Sequence, residues 1–135
     1  MKNLLSKRTL NKYSRQIILK DVGIIGQKKI FNSKILVVGA GGLGSPVIDL
    51  LVRAGVGFLG IIEDDKVDYS NLHRQTLYDY NDVGKYKSDV IKKKIKLIND
   101  KIKLKTFKER ANDKNLGKIL PKFDIIVDGT DNFPT

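Results

Sequence analysis

The sequence predicts an α/β protein with a Rossmann-like parallel sheet flanked by helices and preceded by N-terminal helices. Two short apolar runs, Lys34–Val38 and Phe58–Ile62, enclose a segment that Pro46 and Gly55 mark as a helix, because proline suits a helix start and glycine a helix end. Strand, helix and strand in this order form a βαβ unit, whose two strands are parallel. A glycine-rich turn, Gly39-Ala-Gly-Gly-Leu-Gly44, follows the first run directly, as is typical of Rossmann-like sheets.

The remaining helices follow from the spacing of apolar residues. Short amphipathic helices are predicted over residues 9–19 and 24–31, because Gly23 interrupts the helical pattern between them. A lysine-rich helix is predicted over residues 90–98, where valine and isoleucine recur on one face. The helices are therefore expected both before the sheet and between its strands.

Two further strands complete the predicted sheet. Alternation at Ile102 and Leu104 predicts a third strand, and the apolar residues 123–127 predict a fourth. No repeat or linker divides the chain, so we predict one continuous unit. Residues 1–33 are expected to form an N-terminal helical segment that packs on the same domain, and residues 34–135 are expected to form the Rossmann-like domain itself.

Composition narrows the possible functions. The 135 residues suffice for one globular domain and contain no apolar run near membrane-spanning length, which predicts a cytoplasmic protein without a membrane partner. The lack of cysteine excludes thiolate zinc sites and a cysteine nucleophile within these residues. A net charge of +11 raises the question of nucleic acid, but the lysines of residues 85–122 alternate with apolar residues and not with aromatics that stack on bases. We predict a solvated lysine-rich face, with an anionic partner as the alternative.

The glycine-rich turn predicts a nucleotide-binding site. Its glycines allow a tight turn and close approach of the backbone to a ligand, and the helix that follows offers free N–H groups to phosphate. Glu63, Asp64 and Asp65 lie roughly twenty residues downstream, where an acidic side chain can bind a ribose hydroxyl. The same pattern also serves NAD, so a nicotinamide-dependent oxidoreductase is an alternative. A second alternative is that the glycines only let strand and helix pack closely.

Four segments outside the turn carry a family resemblance. They are Lys12-Tyr-Ser-Arg-Gln16, Asp68-Tyr-Ser-Asn-Leu-His-Arg-Gln75, Val83-Gly-Lys-Tyr-Lys87 and Asp128-Gly-Thr-Asp-Asn132. Together with the glycine-rich turn, these segments resemble the ThiF, MoeB and HesA family, whose members are relatives of the ubiquitin-activating enzymes. The resemblance covers nearly the whole chain from about Lys12. It implies an adenylyltransferase that uses ATP and magnesium to activate the C-terminal Gly-Gly carboxylate of a ubiquitin-like sulfur-carrier protein, of the thiamine or molybdenum cofactor type.

The resemblance also implies roles for individual residues. Adenylation requires cations around the phosphates, and Arg74 and Lys87 match residues that contact ATP in the family. Asp131 matches the magnesium-associated aspartate, while Glu63 stands where the family usually has the ribose-binding aspartate. Arg15 looks like the arginine that reaches the ATP site of a partner subunit, which implies a homodimer. The implied catalytic residues are Arg15, Arg74, Lys87 and Asp131. The implied nucleotide-binding residues are Gly39, Gly41, Gly42, Gly44, Glu63, Asp65, Ser70, Asn71, Arg74, Lys87, Asp131 and Asn132.

Other polar side chains are expected to be structural. Asp128 and Asp131 can both cap the turn after the strand, because aspartate often accepts hydrogen bonds from nearby backbone, and this role is compatible with holding magnesium. Tyr13, Tyr69 and Tyr78 are expected to be packing residues with hydroxyls in water.

The resemblance stops at the end of the chain. Related enzymes continue with further strands, the surface for the carrier and often Cys-x-x-Cys zinc ligands, so we expect this chain to be the ATP-binding half of a longer protein. Zinc is not predicted. Three alternatives remain: a transfer-RNA threonylcarbamoyladenosine dehydratase-like enzyme, whose partner would suit the positive charge, the NAD-dependent oxidoreductase, and an inactive fragment.

Overall fold

The structure is a computed structural model that describes residues 6–131, and it contains a four-stranded parallel sheet flanked by helices. The strands are β1 Lys34–Val38, β2 Phe58–Ile62, β3 Lys103–Phe107 and β4 Ile125–Asp128. The helices are α1 Lys7–Lys12, α2 Ser14–Ile17, α3 Gly23–Asn32, α4 Gly44–Ala54, α5 Lys87–Ile98 and α6 Asp113–Ile119. The predicted Rossmann-like α/β fold is therefore confirmed.

The core consists of two apolar layers, one on each face of the sheet. Val37 and Ile61 belong to the layer that contains Ile48 of α4 and Ile91 of α5. Leu36, Val38 and Ile62 of the same two strands belong to the other layer, which contains Ile119 of α6. Successive side chains of a strand point to opposite faces, so a strand covered on both faces is apolar throughout. This explains why the first two strands could be recognised as continuous apolar runs.

The strand order creates a crevice at one end of the sheet. The strands lie in the order β3-β2-β1-β4, so β1 has β2 on one side and β4 on the other. From β1 the chain runs outward through β2 and β3 on one side, and it then returns to place β4 on the other side of β1. The direction of the strand order therefore reverses between β1 and β4, which is the switch point of the topology. Ligands of open parallel sheets bind outside the carboxyl ends of the strands at such a point.

The N-terminal helices pack against the far end of α4. Gln16 and Gln27 each donate a side-chain hydrogen bond to the carbonyl of Ala54, at 3.1 and 3.0 Å. The predicted single helix over residues 9–19 is instead two shorter helices, because Tyr13 leaves the helical conformation at φ −104° and ψ 12°. Its buried ring packs edge-on against Phe31, with 5.0 Å between the ring centroids. The division of the chain at residue 33 stays a prediction.

The region after β3 differs most from the prediction. Helix α6 was not predicted, because only Leu116 and Ile119 of its residues pack in the core and Gly117 lies inside it. Its start is set by Asn112, whose side chain accepts hydrogen bonds from the first turn. Strand β4 begins at Ile125 and not at residue 123.

The two edges of the sheet differ in chemistry. The edge strand β3 carries Lys103 and Lys105, both exposed, and lysine on an edge opposes pairing with other strands. The edge strand β4 exposes Ile125 and Ile126 instead. An apolar edge of this kind is suited to pair with further polypeptide. Within residues 6–131, no helix combines the length and apolarity that a membrane span requires.

Candidate functional site

A cavity of about 470 Å³ lies at the carboxyl ends of the strands. Its walls come from five parts of the chain: the glycine-rich turn after β1, the acidic cluster after β2, the loop before α5, the residues after β3 and the residues after β4. The cavity therefore lies where the strand order predicts a ligand.

The glycines of the turn serve two different purposes. Gly39 has φ 87°, a conformation that glycine adopts without strain, and a Cβ atom on Gly44 would lie 1.8 Å from the carbonyl oxygen of Gly39. Gly41 and Gly42 have neither constraint, since a Cβ atom on them would meet only side-chain atoms, at 3.5 and 3.6 Å. The fold thus needs Gly39 and Gly44, while Gly41 and Gly42 leave bare backbone facing the cavity.

Backbone N–H groups at the start of α4 are available to a ligand. The N–H groups of Gly41, Gly42 and Leu43 have no hydrogen-bond acceptor among residues 6–131. No side chain caps the helix, because the N-cap residue is Leu43. Free N–H groups and the positive end of a helix dipole together favour an anion such as phosphate.

Glu63, the first residue after β2, is buried behind the turn. One of its carboxylate oxygens accepts the N–H of Ala40 at 2.6 Å, and the other accepts the N–H of Asp65 at 3.2 Å. Burial raises the pKa of Glu63, and the N–H of Ala40 and the charge of Lys87 oppose that rise. The carboxylate lines the cavity, yet it already holds the turn in place. Asp65, whose side chain is exposed, offers a second acid at the same wall.

Lys87 is a buried cation at the wall of the cavity. Its Nζ lies 4.0 Å from the Glu63 carboxylate and 3.9 Å from that of Asp65, while only 6% of its side chain is exposed. Backbone pairing brings it there, because the N–H of Lys87 donates to the carbonyl of Asp65 at 3.0 Å. Lys87 is therefore not one of the solvated lysines of the basic face.

Arg74 and Asn71 also line the cavity. The guanidinium of Arg74 donates to the carbonyl of Ser70 at 3.0 Å, and its Nε would lie 3.6 Å from a Cβ atom on Gly42. The side-chain oxygen of Asn71 accepts the N–H of Asp68 at 2.9 Å, which leaves its NH₂ group to donate to a ligand. Both residues line the cavity beside the free N–H groups of the turn.

Asp131 brings a carboxylate to the cavity from the end of β4. The turn before it is formed by Asp128, which accepts hydrogen bonds from the N–H and hydroxyl of Thr130 at 3.0 and 2.7 Å. The Thr130 hydroxyl, and then its N–H, lower the pKa of Asp128. Asp128 thus has the capping role predicted for it. Magnesium is usually held by one or two carboxylates together with substrate phosphates, and Asp131 is placed to supply such a ligand.

Comparison with known proteins identifies the family of this chain. A model of the ThiF family matches residues 13–135. The chain belongs to the ThiF family. The resemblance found in the sequence motifs is therefore confirmed.

Two curated relatives of this ThiF-family chain are adenylyltransferases by name. One is the sulfur carrier protein adenylyltransferase of Thermus thermophilus, which is 45% identical over 96% of this chain. The other is a probable molybdopterin-synthase adenylyltransferase of Gracilaria tenuistipitata, which is 43% identical, also over 96% of this chain. The chain spans 48% of the first relative and 36% of the second.

Solved structures of similar fold include complexes with ATP. The structure of E. coli MccB with ATP has a TM-score of 0.78 and 31% identity, over 90% of this chain and 38% of that one. The structure of E. coli tRNA N6-threonylcarbamoyladenosine dehydratase with ATP has a TM-score of 0.84 and 22% identity, over 95% of this chain and 52% of that one. At this lower identity, the second comparison shows a common fold alone.

Three of the predicted site residues that the structure describes in this ThiF-family chain do not line the cavity. Gly44 is buried at the start of α4, and Ser70 donates its hydroxyl to Asp68 at 2.6 Å, which lowers the pKa of Asp68. Arg15 is exposed on α2 and contributes nothing to this cavity. Asn132 lies outside the described residues. The roles of these residues stay predictions.

Several residues of the cavity were not predicted. Glu109 and Arg110 line it directly after β3, and the rule that ligands gather at the carboxyl ends of parallel strands could have pointed to them. Gln75 also lines it, and the side-chain oxygen of this buried residue has no hydrogen-bond partner among residues 6–131. Gln75 belongs to a motif quoted for the family resemblance, but that motif suggested no role for it.

Proposed function

We propose that this chain is the ATP-binding half of an adenylyltransferase that activates the C-terminal carboxylate of a ubiquitin-like sulfur-carrier protein. The observation that carries the proposal is the set of free N–H groups at Gly41 and Gly42, which face a cavity flanked by Arg74 and Lys87. Free backbone N–H groups and two cations on the wall of one cavity favour an anionic ligand. The relatives at 45 and 43% identity, which are adenylyltransferases by name, support the same function.

The phosphates and the ribose of ATP, together with a magnesium ion, have complementary groups in the cavity. The free N–H groups of the turn would bind phosphate oxygens, and Arg74 and Lys87 would neutralise the negative charge of the phosphate chain. Asp65, and the remaining acceptor positions of Glu63, would accept the ribose hydroxyls. Asp131 would hold magnesium together with phosphate oxygens, and the bound ion would neutralise phosphate charge.

The proposed reaction transfers an adenylyl group to the carrier. A carboxylate oxygen of the carrier's terminal glycine attacks the α-phosphorus of ATP, and the bond from that phosphorus to the bridging oxygen of the β-phosphate breaks. Pyrophosphate leaves with the electron pair of that bond, and an acyl-adenylate forms. Arg74 and Lys87 would stabilise the charge that develops on the phosphates, because fixed cations act most strongly where water is excluded.

The carrier is proposed to end in Gly-Gly and to serve thiamine or molybdenum cofactor synthesis. The active form is proposed to be a homodimer in which Arg15 reaches the cavity of the partner subunit, since Arg15 lies outside the cavity of its own subunit. The alternative of a transfer-RNA dehydratase has weaker support, because the dehydratase named above is only 22% identical to this chain.

We expect carrier-dependent exchange of pyrophosphate into ATP only when the chain is joined to a second half. The test uses a chimera in which residues 1–131 precede the C-terminal part of the Thermus thermophilus relative, together with a Gly-Gly-ended carrier. The 135-residue chain alone should show little exchange, because misplacing the reacting atoms by about 1 Å can cost roughly a hundredfold in rate.

Two matched controls accompany the exchange measurement. An Asp131→Asn version of the chimera controls for contaminating enzymes, and a carrier without its terminal glycine controls for dependence on the attacking carboxylate. A folded chimera that binds ATP but never exchanges pyrophosphate would contradict carrier adenylation. Comparable exchange by the short chain would show that these residues suffice and that the half-enzyme interpretation is wrong.

A further inference from the structure

Tyr78 and Glu63 hold the same residue of the glycine-rich turn from two sides. The Tyr78 hydroxyl donates to the carbonyl of Ala40 at 2.7 Å, and the Glu63 carboxylate accepts the N–H of Ala40 at 2.6 Å. All three residues are buried. The sequence had led us to expect the Tyr78 hydroxyl in water. It is instead hydrogen-bonded inside the protein.

These two hydrogen bonds orient two successive peptide planes. A trans peptide is planar, so its C=O and N–H groups point in opposite directions. The peptide between Ala40 and Gly41 is trans, and its carbonyl is directed toward Tyr78, so the N–H of Gly41 is directed away from Tyr78. Gly41 lines the cavity, and its N–H has no acceptor among residues 6–131. The Tyr78 hydroxyl therefore sets the direction of an N–H group that is free for a ligand.

We propose that Tyr78, together with Glu63, is a positioning residue that fixes the direction of the Gly41 N–H toward phosphate. Among residues 6–131 no other hydrogen bond holds the peptide between Ala40 and Gly41, and glycine accepts many backbone conformations, so this peptide would otherwise be free to rotate. A buried hydroxyl and a buried carboxylate remove that freedom before the ligand arrives, and such preorganisation lowers the cost of binding. The part of this inference that concerns phosphate rests on the proposed ATP site, whereas the part that concerns the turn does not.

The surroundings of Tyr78 keep its hydroxyl protonated. Burial raises the pKa of Tyr78, and the negative charge of Glu63 raises it further. The Nζ of Lys87 lies 5.8 Å from the centroid of the Tyr78 ring, so the residue also contacts the cation of the cavity wall. The hydroxyl thus remains a hydrogen-bond donor across the whole pH range in which the protein would work.

The test compares Tyr78→Phe with Tyr13→Phe. Each change removes one buried tyrosine hydroxyl, but the hydroxyl of Tyr13 accepts from Asn99 at 3.3 Å and lies outside the cavity. In the free Tyr78→Phe chain, amide exchange of Ala40 should rise about tenfold relative to that of Val37, because the Ala40 carbonyl has lost its buried donor. The Kd for ATP with magnesium should also rise about tenfold, the usual effect of one weakened hydrogen bond to a charged group. Tyr13→Phe should change neither the relative exchange rate of Ala40 nor the Kd for ATP.

Equal behaviour of the two variants in amide exchange and in ATP affinity would overturn the positioning role. A large rise in Ala40 exchange without any change in Kd would show that the turn is held by Tyr78 but that the Gly41 N–H does not bind the nucleotide, which also overturns the proposal. Absence of ATP binding by the wild-type chain would count against the proposed function instead. In that case the exchange of Ala40 in the free chain would still decide whether Tyr78 holds the turn.

Discussion

Replacing Gly44 by alanine is expected to destabilise the fold severely. The added Cβ atom would lie 1.8 Å from the carbonyl oxygen and 2.7 Å from the carbonyl carbon of Gly39. Both are backbone atoms of the glycine-rich turn, so neither can move aside as the end of a flexible side chain would. Overpacking in well-packed cores typically costs about 1–3 kcal/mol and occasionally more, and we place this change at or above the upper figure. Urea denaturation of the variant, monitored by circular dichroism, measures the lost free energy of unfolding.

The matched control for this change is Gly117→Ala. A Cβ atom on Gly117 would have no heavy atom within 4 Å, and the residue lies inside helix α6. Alanine in a helix should stabilise the chain by roughly 0.5–1 kcal/mol relative to glycine. If Gly44→Ala lost no more stability than Gly117→Ala, the close contact between the turn and α4 would not exist as described.

Loss of Arg15 is expected to have the largest effect on catalysis. In the chimera described above, Arg15→Ala should reduce carrier-dependent exchange by about 10³-fold or more, the range seen where an arginine is supplied in trans to a phosphoryl-transfer site. ATP affinity should scarcely change, because Arg15 is exposed on α2 and does not line the cavity of its own subunit. Rates of exchange and the Kd for ATP, measured on the same preparations, separate the two effects.

Complementation between variants tests whether Arg15 acts across the dimer. A heterodimer of one Arg15→Ala subunit and one Asp131→Ala subunit has one composite site with both residues intact. Such heterodimers should regain a substantial part of the activity that both homodimers lack. If verified heterodimers stay as inactive as the homodimers, Arg15 does not act in trans.

The sequence predicted the first βαβ unit well, because its strands are buried on both faces. Residues 34–38 and 58–62 could be recognised as continuous apolar runs, and Gly55 ends α4 in the left-handed conformation that glycine favours. Helix α6 was harder to predict, because it is short and a few apolar residues suffice to cover that face of the sheet. At the bend the ring of Tyr13 contacts Phe31, which lies in a different helix, and a contact of this kind has no local sequence signal.

The composition of the site was easier to predict than the contacts within it. Family motifs pointed to Arg74, Lys87 and Asp131, and all three line the same cavity in the structure. The motifs could not show that Glu63 reaches back to the N–H of Ala40, because that contact depends on how the ends of β1 and β2 lie side by side. The bond from Tyr78 to Ala40 spans 38 residues and has no local sequence signal.

The glycine-rich cavity is expected to bind ATP with magnesium. Titration of the isotopically labelled 135-residue chain with this ligand, followed by residue-resolved NMR, detects such binding at each residue. Saturable shifts are expected at Gly42, Asn71, Arg74, Lys87 and Asp131, and weaker effects are expected with NAD. A Gly42→Val variant should remain folded, because a Cβ atom at this position would meet only the flexible side chain of Arg74, yet it should bind ATP poorly. Shifts confined to the lysine-rich face, or tighter binding of NAD than of ATP, would show that this cavity is not an ATP site.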